Sequence, residues 1–167
     1  MEKEKVTIEN YQELAMKTCL PSAKNCAYAH FGMLAEVREL EAKLVGAKAK
    51  EIRDDDFDKI KAKNAIVDEI GDCYWFIALM CELTDYKFSE VFWNRVIALK
   101  MSWTFYRKSL KFIPSIKKSY ELWNTISKLQ TLVFVLGLPL NDILQRNIDK
   151  LASRAERGKI KGNGDER

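Results

Sequence analysis

Apolar residues recur at steps of three and four along most of this chain, which is the spacing that places side chains on one face of an α-helix. The segment 24–49 shows the pattern clearly, and its apolar stripe is Ala27, Phe31, Leu34, Val37, Leu40 and Leu44. The same spacing predicts helices over 8–18, 57–83, 87–110, 115–137 and 141–157. Polar or proline-containing breaks separate these helical segments. No segment of the chain reads convincingly as a β-strand. The pattern therefore predicts an all-α protein, a helical bundle.

The length and composition of the chain fit one globular domain over 1–167, with a polar, Gly-rich tail at 158–167. The net charge of +4 is mildly basic and acids are interspersed with the cations, so nucleic acid is an improbable partner. One histidine and no CxxC pair argue against a structural zinc site. The N-terminus has no signal-peptide pattern, and the longest apolar run is short of the roughly 20 residues of a membrane span, which together predict a cytoplasmic protein.

Two acidic pairs with the same spacing lie on consecutive predicted helices. Glu69 and Asp72 are three residues apart, directly before the apolar run CYWFIALMC, and Glu36 and Glu39 repeat that spacing on the preceding helix. If the two helices pack antiparallel, four carboxylates converge, and their repulsion near a core requires a compensating positive charge. Lysine or arginine can supply it, and so can Mg²⁺, a hard cation that prefers oxygen ligands. The other interpretation is two solvated helix faces, since a chain with 24 acidic residues contains such pairs by chance.

The last predicted helix carries a stripe of complementary charge. Asn147, Lys150 and Arg154 follow one another at steps of three and four and therefore share a face. Such a face can hold phosphate oxygens, with arginine as a planar fork and lysine as a point charge. The alternative is a solvated basic face near the C-terminus of a helix, where positive charge is favoured in any case.

Five segments, taken in chain order, give a specific resemblance to a known family: YQELAMKT (11–18), GMLAEVRELE (32–41), DEIGDCYWFIALM (68–80), LGLPLNDILQRNIDKLASR (136–154) and RGKIKGNGDER (157–167). The order ExxE then ExxD is one signature, and the closing NIDKL…R…RGKIKGNGD is a second, independent one. The chain resembles the short phage and bacterial type of MazG-like, all-α nucleoside triphosphate pyrophosphohydrolases. The resemblance implies a helical bundle of that type in the cytoplasm of a bacterium or of a phage-infected host cell.

The resemblance also implies a reaction and the residues for it. The reaction is the hydrolysis of an NTP or dNTP to the monophosphate and pyrophosphate, with Mg²⁺ as cofactor and Mn²⁺ as a substitute. The metal ligands would be Glu36, Glu39, Glu69 and Asp72, of which Glu39 and Glu69 are the predicted catalytic residues. The predicted substrate contacts are Asn147, Lys150, Arg154, Trp75 and His30. Trp75 and His30 would line the base pocket, with core packing as the alternative for Trp75 and a simple satisfied or exposed histidine for His30.

The chain departs from the family pattern in three features. Ala35 and Arg38 stand where family members often have glycine. The lysines that commonly follow the first acidic pair are replaced near Val45 and Gly46, although Lys43 and Lys48 are close. Roughly residues 85 to 130 form an insert rich in aromatic residues. The insert is predicted to be helical, and it can cover the base pocket, extend a subunit interface or simply add packed helices. The resemblance implies a homodimer or homotetramer. Arg38 and the insert also leave open an alternative function, a catalytically inactive nucleotide-binding or regulatory protein of the same fold.

Overall fold

Helices make up most of the described chain. The computed structural model describes residues 5–46, 57–109 and 119–158. Within these ranges the chain forms no strand, which confirms the predicted all-α class. A short 3₁₀ turn at Pro21–Ala23 joins the first two helices. The helices are α1 (Tyr11–Met16), α2 (Cys26–Gly46), α3 (Phe57–Thr84), α4 (Phe88–Trp93), α5 (Arg95–Ser109), α6 (Ser119–Val135) and α7 (Leu140–Glu156). Apart from Gly158, the predicted tail lies outside the described residues.

The two longest helices, α2 and α3, pack against each other in opposite directions. Tyr28, early in α2, contacts the rings of Trp75 and Phe76, whereas Lys43, late in α2, reaches Glu69. Residues later in α2 therefore contact residues earlier in α3, as in an antiparallel pair of helices. A glycine at position 32 permits the close approach, because a Cβ there would overlap the ring of Phe76. The antiparallel arrangement that the two acidic pairs require is present.

The apolar run of α3 forms the centre of the core. Every residue from Cys73 to Cys81 is buried, as the continuous apolar stretch predicts. Helix α7 lies beside α3 in the same direction, since residues 146, 147 and 150 meet residues 68, 71 and 72 in that order. Despite the length of α3, neither it nor any other helix of the described ranges is long and apolar enough to cross a membrane.

The predicted helix over 87–110 is two helices, and the prediction of one continuous segment is wrong at Asn94. Its backbone is extended, and its side-chain Oδ1 accepts hydrogen bonds from the N–H groups of Val96 and Ile97, at 3.0 and 3.2 Å. This is an N-cap, which satisfies the first amide groups of α5 and ends α4. Helices α4, α5 and most of α6 account for the described part of the predicted insert, and residues 110–118 lie outside the described residues.

Candidate metal centre

Three carboxylates from α2 and α3 converge at one point of the helix pair. One oxygen each from Glu36, Glu69 and Asp72 lies within 4.8 Å of the others. The structure thus brings together three of the four acids that the sequence pairs, and these three are able to hold a metal ion. Glu39 lies one turn further along α2, is half-buried and is not one of the three. Arg38, between the two acids of α2, is exposed.

Glu69 is the most buried of the three acids, with only 5% of its surface exposed. Its Oε1 accepts from the ammonium group of Lys43. Its Oε2 is buried, and no donor in the described part of the chain reaches it. A buried carboxylate oxygen without a partner costs free energy, so this atom requires either a cation or a proton carried by a neighbouring acid. An oxygen of this kind is what a hard divalent cation binds.

The electrostatics of Glu36 show that the charge of this acid, unlike that of Glu69 and Asp72, is not compensated by a nearby cation among the described residues. Burial raises the pKa of Glu36 to about 8, and the charge of Asp72 and the nearby Glu69 carboxyl add to the rise. Glu36 can donate a hydrogen bond to Glu69 only when its own carboxyl group is protonated. Either a proton or a cation is therefore needed between these acids, and a divalent cation would replace that proton.

Asp72 is held by a chain of hydrogen bonds that begins on α1. Its two oxygens both contact the ammonium group of Lys150, and Oδ1 also accepts from Asn147 Nδ2 at 2.9 Å. Asn147 is 2% exposed, and its own Oδ1 accepts from the hydroxyl of Tyr11 at 2.9 Å. Burial raises the pKa of Asp72, while Lys150 opposes the rise.

A glycine in α3 makes room for this network. A Cβ at Gly71 would lie 3.0 Å from the Cβ of Asn147, which is tighter than ordinary contact. Gly71 therefore lets α7 approach α3 closely enough for Asn147 and Lys150 to reach Asp72. This explains in steric terms why glycine stands between the two acids of the ExxD pair.

Of the predicted phosphate-binding residues, Asn147 and Lys150 reach the acid cluster directly. Arg154 lies one turn beyond Lys150, is half-buried, and its charge lowers the pKa of Asp72. The stripe that the sequence predicts on α7 therefore faces the acids of α3. A site with hard oxygen ligands on one side and amide and ammonium donors on the other suits a metal-bound polyphosphate.

The two residues predicted for a base pocket have different surroundings. The indole N–H of Trp75 donates to the carbonyl oxygen of Ala15 and to Thr18 Oγ1, at 3.2 and 3.3 Å, and the side chain is buried. These contacts join α3 to α1 and to the turn that follows it, as expected for core packing. His30 is half-buried on α2, and its ring packs edge-on against Phe31 at 5.3 Å.

Sequence reasoning did not assign Lys43, Tyr11 or Gly71 to the site. Lys43 lies four residues after Glu39, and a lysine on an exposed helix face gives no sign that it reaches another helix. Tyr11 stands at an apolar position of a short helix and reads as core. Only its place in the segment YQELAMKT, one of those that carry the resemblance, was available as a signal.

Comparison of the chain with protein-family models, with curated proteins and with solved structures gives no match. The family resemblance therefore rests on the quoted segments alone. What can be said of function rests on those segments and on the geometry of the acid cluster.

Proposed function

We propose that this protein is a Mg²⁺-dependent nucleoside triphosphate pyrophosphohydrolase of the MazG-like type. It would hydrolyse an NTP or dNTP between the α- and β-phosphates, giving the monophosphate and pyrophosphate. The observation that carries the proposal is the buried, unpartnered Oε2 of Glu69 within a group of three carboxylates. Because no ammonium, amide or hydroxyl group of the described residues donates to that oxygen and two further acids lie beside it, a divalent cation is the ligand that its surroundings favour.

The proposed metal-binding and phosphate-binding roles are supported by the positions of the residues. Glu36, Glu69 and Asp72 would hold Mg²⁺, with Mn²⁺ as a substitute, and Glu39 would be a fourth ligand or the group that orients the attacking water. When bound, the ion neutralises phosphate charge and lowers the pKa of a coordinated water. The substrate's phosphate oxygens would contact the donors that α7 presents beside Asp72, namely Asn147, Lys150 and Arg154.

Base recognition and assembly belong to the same proposal. The hydrogen bonds of Trp75 to α1 favour a packing role for that residue, which leaves His30 as the proposed contact to the base. The enzyme would act as a homodimer or homotetramer in the cytoplasm of a bacterium or a phage-infected cell. The outer face of α5 exposes Val96, Leu99 and Trp103 by 47–62%, at steps of three and four, and a second copy of this chain would cover such a stripe. Light scattering on the purified protein measures the mass and tests the assembly.

The first experiment is pyrophosphate release with Mg²⁺ across the eight common NTPs and dNTPs. The variant Glu69→Gln removes the charge of the buried acid while keeping its size. Asp68→Asn is the matched control, because Asp68 is the adjacent acid on α3 and pairs with Arg146 at the surface. We expect turnover in the wild type and in Asp68→Asn, and none in Glu69→Gln. Equal turnover in wild type and Glu69→Gln would remove the assigned metal site.

A second function is favoured by one observation, the two lysines that already contact the acids. Lys43 pairs with Glu69 and Lys150 with Asp72, so most of the cluster's charge is compensated without a metal. We infer from this the alternative of a catalytically inactive nucleotide-binding or regulatory protein of the same fold. It predicts that the folded protein binds nucleotides but releases no pyrophosphate from any of the eight.

A further inference from the structure

The two acids of α3 present their oxygens to a metal ion in different ways. Glu69 has one oxygen on Lys43 and the other without a partner in the described chain. Asp72 has Lys150 on both oxygens and Asn147 on one of them. A cation can therefore reach Glu69 while the contact to Lys43 stays in place. It cannot use Asp72 without meeting the ammonium group of Lys150.

Lys150 contacts both oxygens of Asp72, so an ion that binds there would compete with the ammonium group for the same atoms, and the two charges would repel each other at a separation of a few ångströms. One of the two has to leave. Asn147 is fixed by Tyr11 from behind, whereas Lys150 has a flexible stem and a side chain that is 22% exposed. Lys150 is consequently the group that can move.

We propose that Lys150 occupies the place of the metal ion at Asp72 and is displaced when the ion binds, which frees its charge for the substrate's phosphates. This rests on the proposed function, and it adds a coupling between metal and substrate. When the metal ion binds alone, the Lys150–Asp72 pair is broken and the ammonium group of Lys150 gains no new partner. When a phosphate is present, Lys150 gains a new partner, so each ligand strengthens the binding of the other by the same factor.

Mn²⁺ binding followed by electron paramagnetic resonance tests this without turnover. Lys150→Met keeps an unbranched side chain of nearly the same length and removes the competing charge. We expect it to bind Mn²⁺ alone about 3- to 10-fold more tightly than the wild type does. Methylenediphosphonate is an uncleavable pyrophosphate analogue that needs no knowledge of the base. At matched free Mn²⁺ it should strengthen metal binding several-fold less in Lys150→Met than in the wild type.

Two control variants separate displacement from the general loss of a positive charge. Arg146→Met removes a cation from the same face of α7, one turn earlier, that pairs with Asp68 outside the cluster. Lys43→Met removes the cation that the ion does not have to displace. Both should gain less Mn²⁺ affinity than Lys150→Met. If Lys150→Met does not fold by circular dichroism, Lys150→Gln serves in its place, since it removes the same charge and keeps a donor.

The outcomes distinguish this inference from the proposed function. Wild-type Mn²⁺ binding that Glu69→Gln abolishes, combined with tighter binding in Lys150→Met than in both controls, supports displacement. The same wild-type binding with no gain in Lys150→Met, or with an equal gain in the controls, overturns displacement and leaves the metal site intact. If the wild type binds no Mn²⁺ that depends on Glu69, the proposed metal site fails and this inference fails with it.

Discussion

Two ion pairs join α3 to α7, one turn apart on both helices. Each consists of an aspartate and a basic residue, but the two pairs differ in their exposure and in the groups that surround them. Asp68 and Arg146 form a bidentate pair at 2.6 and 3.0 Å, with side chains 30% and 44% exposed. Asp72 and Lys150 form the second pair, whose side chains are 21% and 22% exposed and which stands beside two further acids. The hydrogen bond to Asp68 raises the pKa of Arg146, whereas burial raises the pKa of Asp72 in spite of its lysine.

The difference shows what separates an ion pair that only joins two helices, called a tie below, from an ion pair that forms part of the candidate metal site. In the outer pair each charge has one good partner, and nothing remains to be satisfied. In the inner pair the lysine serves one of three carboxylates, and a buried oxygen of Glu69 is left over. The cation types match these roles, since arginine's rigid fork suits a permanent pair and lysine's flexible point charge is easier to exchange.

The largest effect should come from removing one acid of each pair in turn. Asp72→Asn takes a ligand charge from the acid cluster and should lower kcat/KM for the best substrate by at least about 100-fold. Asp68→Asn should leave it within about twofold, because Asp68 pairs with Arg146 and is not one of the three clustered acids. Steady-state kinetics with Mg²⁺ measures both. An equal loss in the two variants would mean that the inner pair is no more than a second tie between the helices.

The next comparison concerns two buried tyrosines. Replacing each by phenylalanine should change the free energy of unfolding in a different direction. The hydroxyl of Tyr11 supports Asn147 and through it Asp72, whereas the hydroxyl of Tyr74 is buried with no partner in the described chain. Tyr11→Phe leaves an acceptor of Asn147 unpaired and should lower the free energy of unfolding by about 1–3 kcal/mol. Tyr74→Phe removes an unpaired hydroxyl and should be neutral or stabilising by up to about 1 kcal/mol.

Urea denaturation followed by circular dichroism measures both tyrosine variants. Tyr11→Phe should also weaken Mn²⁺ binding, because Asn147 then holds Asp72 less firmly, and Tyr74→Phe should not change it. A Tyr11→Phe protein as stable as the wild type would show that the hydrogen-bond chain from α1 does not support the site.

Periodicity was enough to predict the helices, because burial of one face repeats at every turn and leaves a long signal. The same signal did not show the break at Asn94, since a single capping side chain interrupts the backbone without disturbing the apolar spacing. Spacing likewise placed acids on facing helices. It did not show that Glu39 lies outside the closest group, because that depends on how far one helix is rotated against the other.

The contacts that set the character of the site join residues far apart in the chain. Lys43 and Glu69 are 26 positions apart, and Tyr11 and Asn147 are 136 apart. No local pattern contains such pairs, and Lys43 and Tyr11 taken alone read as an ordinary surface lysine and an ordinary core tyrosine. The family resemblance supplied the role of Asn147 and Lys150 as an expectation, and the structure supplied the reason that they reach Asp72, namely the room at Gly71.

The pH dependence of stability provides a third test, smaller than the first two because Glu36 is partly exposed. Its pKa in the folded protein is about 8, against 4.5 for an ordinary glutamate, so the folded state holds a proton that the unfolded state releases. Stability of the metal-free protein should therefore fall as pH rises from about 4.5 to 8. The raised pKa of Asp72 acts in the same direction.

Urea midpoints at pH 5.5, 7 and 8.5, in EDTA and in Mg²⁺, check this dependence. We expect the fall in EDTA to be reduced by Mg²⁺, because the ion stabilises the ionised acids and takes the place of the proton. Glu36→Gln should also flatten the curve in EDTA. Stability that rises across this range in EDTA would contradict the assigned environment of Glu36.

The smallest effect is the coupling energy of the outer pair itself. A double-mutant cycle of Asp68→Ala and Arg146→Ala should give about 0.5–1 kcal/mol at low salt and less in 0.5 M NaCl, because both partners are solvated and screened. The cycle of Asp72→Asn and Lys150→Met should give a larger and less salt-sensitive coupling, since removing Lys150 leaves a half-buried carboxylate unpaired beside other acids. Mg²⁺ should reduce the coupling of the inner pair, which it replaces, and leave that of the outer pair unchanged. Equal coupling energies with equal salt dependence would mean that burial beside the other acids does not distinguish the two pairs, and the contrast between tie and site would be lost.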